Sequence, residues 1–86
     1  MSKTFTEAVK AVVAKIPSGQ TMTYGAVAKA AGRERAYRAV ANVMAANYDL
    51  AVPCHRVVRG DGSLGGYNRG GPKVKRRLIK QEGVII

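Results

Sequence analysis

Apolar residues recur at helical spacing from the start of the chain. Phe5, Val9, Val12, Val13 and Ile16 fall at i, i+4, i+7, i+8 and i+11, one stripe of a helix. Thr4-Phe5-Thr6-Glu7 opens that stripe as a Thr-x-x-Glu capping box, and Pro17-Ser18-Gly19 ends it. Thr23 predicts the cap of a second helix carrying Tyr24, Val27, Ala28 and Ala31, closed by Gly32. A third helix is predicted from about Glu34 to Ala46, with Ala36, Val40, Val43 and Met44 as its buried stripe. Two short helices around a Gly-containing turn read as a helix-turn-helix.

The pattern then changes. Asn47-Tyr48-Asp49 is a turn, and the short run Leu50-Ala51-Val52 is ended by Pro53, which fixes φ. Val57-Val58 and Ser63-Leu64 flank Gly60-Asp61-Gly62, which predicts a small hairpin. Six of the ten glycines lie between Arg59 and Pro72, so Gly65 to Gly71 reads as a loop that lets backbone approach a ligand closely. Pro72 suits the first position of a basic helix running on through Lys73 to Gln81. Val74 and Leu78 mark its predicted inner face, and Glu82 continues that phase. A carboxylate turned inward needs a partner. A lysine or arginine would serve, and so would His55. The fold class is therefore mainly α. One small domain over residues 1–86 carries a helix-turn-helix, a very short β element around Pro-Cys-His-Arg, and a C-terminal helix.

Composition narrows the function. Eighty-six residues, 47% of them apolar, hold one modest core and no transmembrane-length run. The N-terminus lacks the apolar block of a secretory signal, which predicts an intracellular protein. Fifteen Lys+Arg against five Asp+Glu give a net charge of +10. So strong a field on so small a body is suited to a polyanion, nucleic acid first. A membrane surface fits poorly, because no helix joins a basic face to large exposed apolar residues. Arg35, Arg38 and Asn42, at i, i+3 and i+7 on the third helix, face away from its stripe, with Arg33 nearby. That face predicts DNA contact.

The chain's single cysteine and single histidine are adjacent, Cys54 and His55, behind Pro53 where the backbone turns. A lone free cysteine is ordinarily an inert core thiol. One cysteine makes no internal disulfide, and two potential ligands fall short of the four usual in a structural zinc site, so no metal is expected.

Pro53-Cys54-His55-Arg56-Val57, with Thr23-Tyr24, Arg38-Ala39-Val40, Asn47, Gly66-Tyr67 and Glu82-Gly83, resembles the O6-alkylguanine-DNA alkyltransferases, also called methylated-DNA–protein-cysteine methyltransferases. The similarity runs from Phe5 to Gly83. It implies that Cys54 accepts the alkyl group, that His55 activates it through a water, and that Glu82 orients His55. Tyr24 would donate a proton toward the base and Arg38 would enter the DNA stack. Thr23, Arg33, Arg35, Asn42 and Arg59 would contact DNA. Asn47 and Pro53 would brace the hinge, while Val57, Gly66, Tyr67 and Asn68 would line the base pocket. The chain departs from the family pattern in lacking an N-terminal domain and in carrying Ala45 where an arginine is common. Its hinge before Cys54 is one residue shorter than in the vertebrate form, and its loop at Asn68-Arg69 is one residue longer than usual.

The chemistry agrees with those residue types. Removing an alkyl group from oxygen needs a soft nucleophile, a base for its proton and help for the leaving group. The damaged guanine must first rotate out of the duplex. The product thioether is irreversible, which implies one reaction per molecule and no cofactor. The resemblance implies a monomer acting on double-stranded DNA containing O6-alkylguanine, with O4-alkylthymine a further substrate. The compartment would be that of the DNA: cytoplasmic and nucleoid-associated in a prokaryote, nuclear in a eukaryote. An alkyltransferase-like lesion sensor that recruits nucleotide-excision-repair partners is the alternative, and Cys54 speaks against it. A plain helix-turn-helix regulator would leave Cys54, His55 and Glu82 unexplained.

Overall fold

Two threonines start the first two helices by the same local device. In the computed structural model, which describes residues 4–49, 51–60, 65, 67 and 70–84, the Thr4 hydroxyl accepts from the Glu7 N–H at 3.2 Å and opens α1, Phe5–Ala14. The Thr23 hydroxyl accepts from Ala26 N–H at 3.0 Å and opens α2, Tyr24–Ala30. Each satisfies one of the backbone donors a helix start leaves without a partner, worth about 1 kcal/mol.

The end of α2 is a Schellman turn. Gly32 takes φ +96° and donates to the Lys29 carbonyl, while Arg33 N–H reaches back to that of Ala28 at 2.9 Å. This turn delays the next helix. Arg33 to Ala36 form a further turn, closed by Ala36 N–H to the Arg33 carbonyl at 3.0 Å, and α3 runs from Tyr37 to Ala45. Glu34 and Arg35, expected on the third helix, precede it. Arg35 therefore does not share a helical face with Arg38 and Asn42.

α2 and α3 together form the crossover of a parallel strand pair, β1 (Met22–Thr23) and β2 (Val57–Val58), in the register Met22 to Val57 and Thr23 to Val58. Parallel strands require such a connection. The expected strand at Val57-Val58 is present, but its described partner is distant in sequence; residues 61–64, the other arm of the expected hairpin, lie outside the described residues. Between α3 and β2 a single 3-10 turn spans Cys54–Arg56.

The core gathers Val9, Val13 and Ile16 with Val27 and Ala28 of α2, Val40 and Met44 of α3, and Val52, Cys54 and Val57. Full burial of each such valine contributes roughly 1.5–3 kcal/mol. The last helix, α4, runs from Gly71 to Gln81 with Pro72 in its first turn. Its innermost residues are Lys75 and Ile79, at 0% and 1% exposure. Val74 and Leu78 are only half-buried, so the face expected from them is rotated by one residue. A second Schellman turn stops α4: Gly83, at φ +93°, donates to the Lys80 carbonyl and Val84 to that of Ile79. Glu82 is thereby held at the helix cap.

Candidate active site

The turn that carries Cys54 is braced from inside. Asn47, fully buried, donates from Nδ2 to the Val52 carbonyl at 3.1 Å and accepts the Asp49 N–H on Oδ1 at 3.2 Å. Asp49 in turn accepts from Ala51 N–H at 2.9 Å. These bonds tie Asn47, Asp49, Ala51 and Val52 into one hinge, and Pro53 then leads into the 3-10 turn. Beyond that turn β2 pairs with β1, which ends at Thr23 and leads directly into Tyr24, the first residue of α2. The two-residue ladder thus brings the cysteine turn to the start of the helix-turn-helix.

Cys54 is only 5% exposed and belongs to the core cluster, yet it lies on the wall of a cavity of about 340 Å³. Tyr24, Ala41, Met44, Ala45, Arg59 and Tyr67 complete the lining. Both sequence expectations for a free cysteine therefore hold at once: the residue is packed, and it faces a chamber. Gly65, at φ +76°, keeps the chamber's edge tight, because a Cβ there would sit 3.2 Å from the Tyr24 hydroxyl and 3.4 Å from Arg59. Burial raises the Tyr24 pKa above its ordinary 10, with the Cys54 charge acting in the same direction and Arg59 opposing it. The phenol therefore keeps its proton at neutral pH.

Behind Cys54 the inward carboxylate finds both partners that the sequence offered. Glu82 Oε1 lies 3.1 Å from His55 Nε2 and accepts from Arg56 Nε at 2.9 Å, while Oε2 accepts from Arg56 Nη2. Arg56 Nη1 donates to the Ile16 carbonyl at 2.7 Å, tying the cluster to the end of α1. The Arg56 hydrogen bonds, ahead of His55, hold the Glu82 carboxyl down at about 2, and the same pairing raises the Arg56 pKa. An ionised carboxylate only accepts, so His55 Nε2 carries the hydrogen between them. In the neutral ring Nδ1 is then the free acceptor. The His55 ring also meets Tyr67 edge-on, centroids 6.4 Å apart at 78°. Gly19 lets the end of α1 approach closely, since a Cβ there would lie 3.1 Å from the Glu82 carbonyl oxygen.

Lys75 lies outside the inner face that the sequence pattern assigns to Val74 and Leu78, yet it is fully buried. Its Nζ donates to the Val57 carbonyl at 2.6 Å and lies 5.7 Å from the centroid of the Tyr24 ring. Burial lowers its pKa to about 8, against the attraction of the Cys54 charge. The two groups thus attract each other across the core. Val57, expected in the pocket lining, is wholly in the core and contributes its carbonyl to Lys75 instead. Neither Lys75 nor Arg56 had a sequence signal beyond its place in the pattern.

The remaining candidates divide by position. Thr23, Tyr24, Arg38 and Arg59 line a second cavity that shares Tyr24, Ala41 and Arg59 with the first. Asn42 is exposed on α3 and lines neither. Arg33 lies with its guanidinium 5.1 Å from the Phe5 ring centroid, a cation–π contact joining the helix-turn-helix to α1. Gly66 and Asn68 fall outside the described residues.

Comparison with known proteins agrees with this geometry. A family model described as 6-O-methylguanine DNA methyltransferase, DNA binding domain, matches residues 4–84. A methylated-DNA–protein-cysteine methyltransferase of Methanothermobacter thermautotrophicus is 47% identical over 76 residues, which is 87% of this chain and 42% of that protein. The bifunctional transcriptional activator/DNA repair enzyme Ada of Escherichia coli is 46% identical over 79 residues, 91% of this chain and 22% of Ada. Among solved structures, Mycobacterium tuberculosis OGT in complex with DNA superposes with a TM-score of 0.86 at 37% identity, over 95% of this chain and 50% of that one. Schizosaccharomyces pombe Atl1, bound to damaged DNA containing O6-carboxymethylguanine, superposes with a TM-score of 0.84 at 28% identity, over 95% and 78%. The chain spans half or less of the methyltransferase relatives it matches, and no helix among the described residues is long and apolar enough to cross a membrane. With the match running from the Thr4 cap to the Val84 that closes α4, the chain belongs to the family of the 6-O-methylguanine DNA methyltransferase DNA-binding domain.

Proposed function

We propose that the chain reverses alkylation damage in double-stranded DNA by moving the alkyl group from guanine O6 to Cys54, once per molecule. The observation that carries this reading is the cavity over Cys54, walled by Tyr24 and Tyr67 and backed by the His55–Glu82 pair. Its volume of about 340 Å³ lies at the low end of ligand-site volumes, roughly 300–1,000 Å³, as suits a single flipped base. The Cys54 proton passes to His55 Nδ1 through a bridging water. The thiolate then forms a sulfur–carbon bond as the carbon–O6 bond breaks, and the departing pair stays on the guanine. Tyr24 supplies a proton to that base as charge develops. Asn47 and Pro53 hold the hinge, and Val57 acts through its carbonyl. Gly66, Tyr67 and Asn68 complete the base pocket in this reading, and O4-alkylthymine is a further substrate.

Arg38 projects from the start of α3, enters the duplex and fills the space the base vacates. Thr23, Arg59 and the more distant Arg33, Arg35 and Asn42 contact the backbone. No cofactor is needed, because the thioether forms without one. The protein acts as a monomer where the DNA is, the nucleoid of a prokaryote or the nucleus of a eukaryote.

Intact-mass analysis after incubation with duplex DNA carrying O6-methylguanine tests this. The expected result is a gain of one methylene's mass, mapped to Cys54, saturating at one per molecule. The second reading, a lesion sensor recruiting nucleotide-excision-repair factors, is favoured by the likeness to Atl1, of which the chain covers a larger share than of the other relatives. An unchanged mass with tight, lesion-selective binding would establish it instead.

A further inference from the structure

Tyr37 opens α3 with its side chain 52% exposed, one of two large apolar side chains left outside among the described residues. It stands beside Arg38 on the wall of the second cavity, about 560 Å³, with Thr23, Gly25, Arg59 and Gly60. No carboxylate lines this cavity, and neither the Arg38 nor the Arg59 side chain makes a hydrogen bond or ion pair among the described residues. At Gly25 an added Cβ would meet nothing within 4 Å, so this end of the cavity is open.

We propose that this cavity is a subsite for the nucleotide next to the flipped one on the damaged strand, with the Tyr37 ring against its base. Three features point there. An exposed aromatic ring sharing a cavity wall with two arginines is the kind of arrangement by which proteins hold bases without reading their identity. The cations suit the phosphate that joins the two nucleotides. The cavity also shares Tyr24, Ala41 and Arg59 with that of Cys54, so a nucleotide seated in it would lie beside the one being repaired. Phosphate contact alone would not call for a ring at this position.

The inference rests on the proposed alkyl transfer, and the test separates the two. Transfer rate and Kd are measured for the parent and for Tyr37→Ala on O6-methylguanine duplexes in which one base at a time is removed: either same-strand neighbour, or the base opposite the lesion. Transfer from free O6-benzylguanine is measured alongside. On the intact duplex Tyr37→Ala should lose roughly 5- to 150-fold in affinity, the range of one base–aromatic stack, while the free base reacts at the parental rate. The loss should vanish on the duplex lacking one particular same-strand neighbour, and Tyr37→Phe should retain parental values throughout. A loss that persists on every abasic duplex overturns the proposal. So does one that vanishes only when the opposite base is removed, or the absence of any loss. An equal loss on the free base assigns Tyr37 to the fold and overturns it as well. Should the parent transfer nothing to Cys54 from any substrate, the alkyl-transfer reading fails, and the Kd pattern still decides whether Tyr37 holds the neighbouring base.

Discussion

The molecule has two polar regions built on opposite principles. Where the 3-10 turn meets α4, four polar side chains are matched from within: His55 and Arg56 on Glu82, Arg56 also on the Ile16 carbonyl, Lys75 on the Val57 carbonyl. Along the start of α2 and α3, Arg38 and Arg59 stand exposed around an open cavity with no such partner among the described residues. The first region is prepared before any ligand arrives, which is how an active site lowers a barrier without reorganising. The second leaves its cations for an external anion. Mutations in the first should therefore act on folding and chemistry together, and mutations in the second on DNA alone.

Glu82→Gln should break that comparison most visibly. It leaves Arg56 without its charge partner in a half-buried cluster, a loss of roughly 2–3 kcal/mol after allowing for solvent. For a domain of this size that lowers Tm by on the order of 10–20 °C, read by thermal melts, and alkyl transfer should slow as His55 loses its orientation. The pH dependence carries the same signature. Because the Glu82 carboxyl titrates at about 2 in the fold and at 4.5 when free, its contribution is complete above 4.5 and is lost as pH falls toward about 2. Melts between those pH values should lose this step in Glu82→Gln. Parental stability together with a parental transfer rate would make Glu82 dispensable to both.

Arg38→Ala is the complementary change. Its stability, read by thermal melts, should stay within about 0.5 kcal/mol of the parent, as for a surface site. Transfer from duplex DNA should fall roughly 10- to 100-fold and remain slow at saturating protein, reflecting a flipping cost of a few kcal/mol, while a free alkylated base reacts normally. Arg38→Lys should rescue poorly, since an ammonium does not stack as a planar guanidinium does. Equal losses on duplex and free base would move Arg38 into the first region.

Lys75→Met sharpens the contrast inside the first region. Methionine fills the space without a buried charge, so stability at neutral pH should change by less than about 1.5 kcal/mol. Alkylation of Cys54 by iodoacetamide at pH 7 should nonetheless slow. In the parent, an amine that titrates at about 8 when folded and 10.5 when free makes stability rise with pH across that interval. The variant should lack that rise. Unchanged iodoacetamide reactivity would detach Lys75 from the thiol.

The smallest effect is in the salt dependence of DNA binding. Arg59→Ala should flatten the log–log slope by roughly 0.9, one phosphate's share, whereas Lys75→Met should leave it unaltered. Only an exposed cation releases counterions, and this measurement separates the two regions with least disturbance to either.

What the sequence determined by itself was local: the Thr4 and Thr23 caps, the stripe from Val9 to Ile16, the glycines that end α2 and α4, and the Pro-Cys-His-Arg turn. Each depends on residues within about one turn of one another, so its physics is complete in a short window. Tertiary structure decided the rest. Pairing β1 with β2 depends on two residues a side, too little signal to compete with a nearby hairpin turn. The rotation of α4 was hidden because a lysine at position 75 reads as solvent-facing until the Val57 carbonyl and the Tyr24 ring are brought against it. The late start of α3 has the same origin: Arg33 is held back by the Ala28 carbonyl and lies against Phe5, a residue of another helix. Charge and periodicity along a chain describe what a residue prefers; which partner overrides that preference is set by segments far away in sequence.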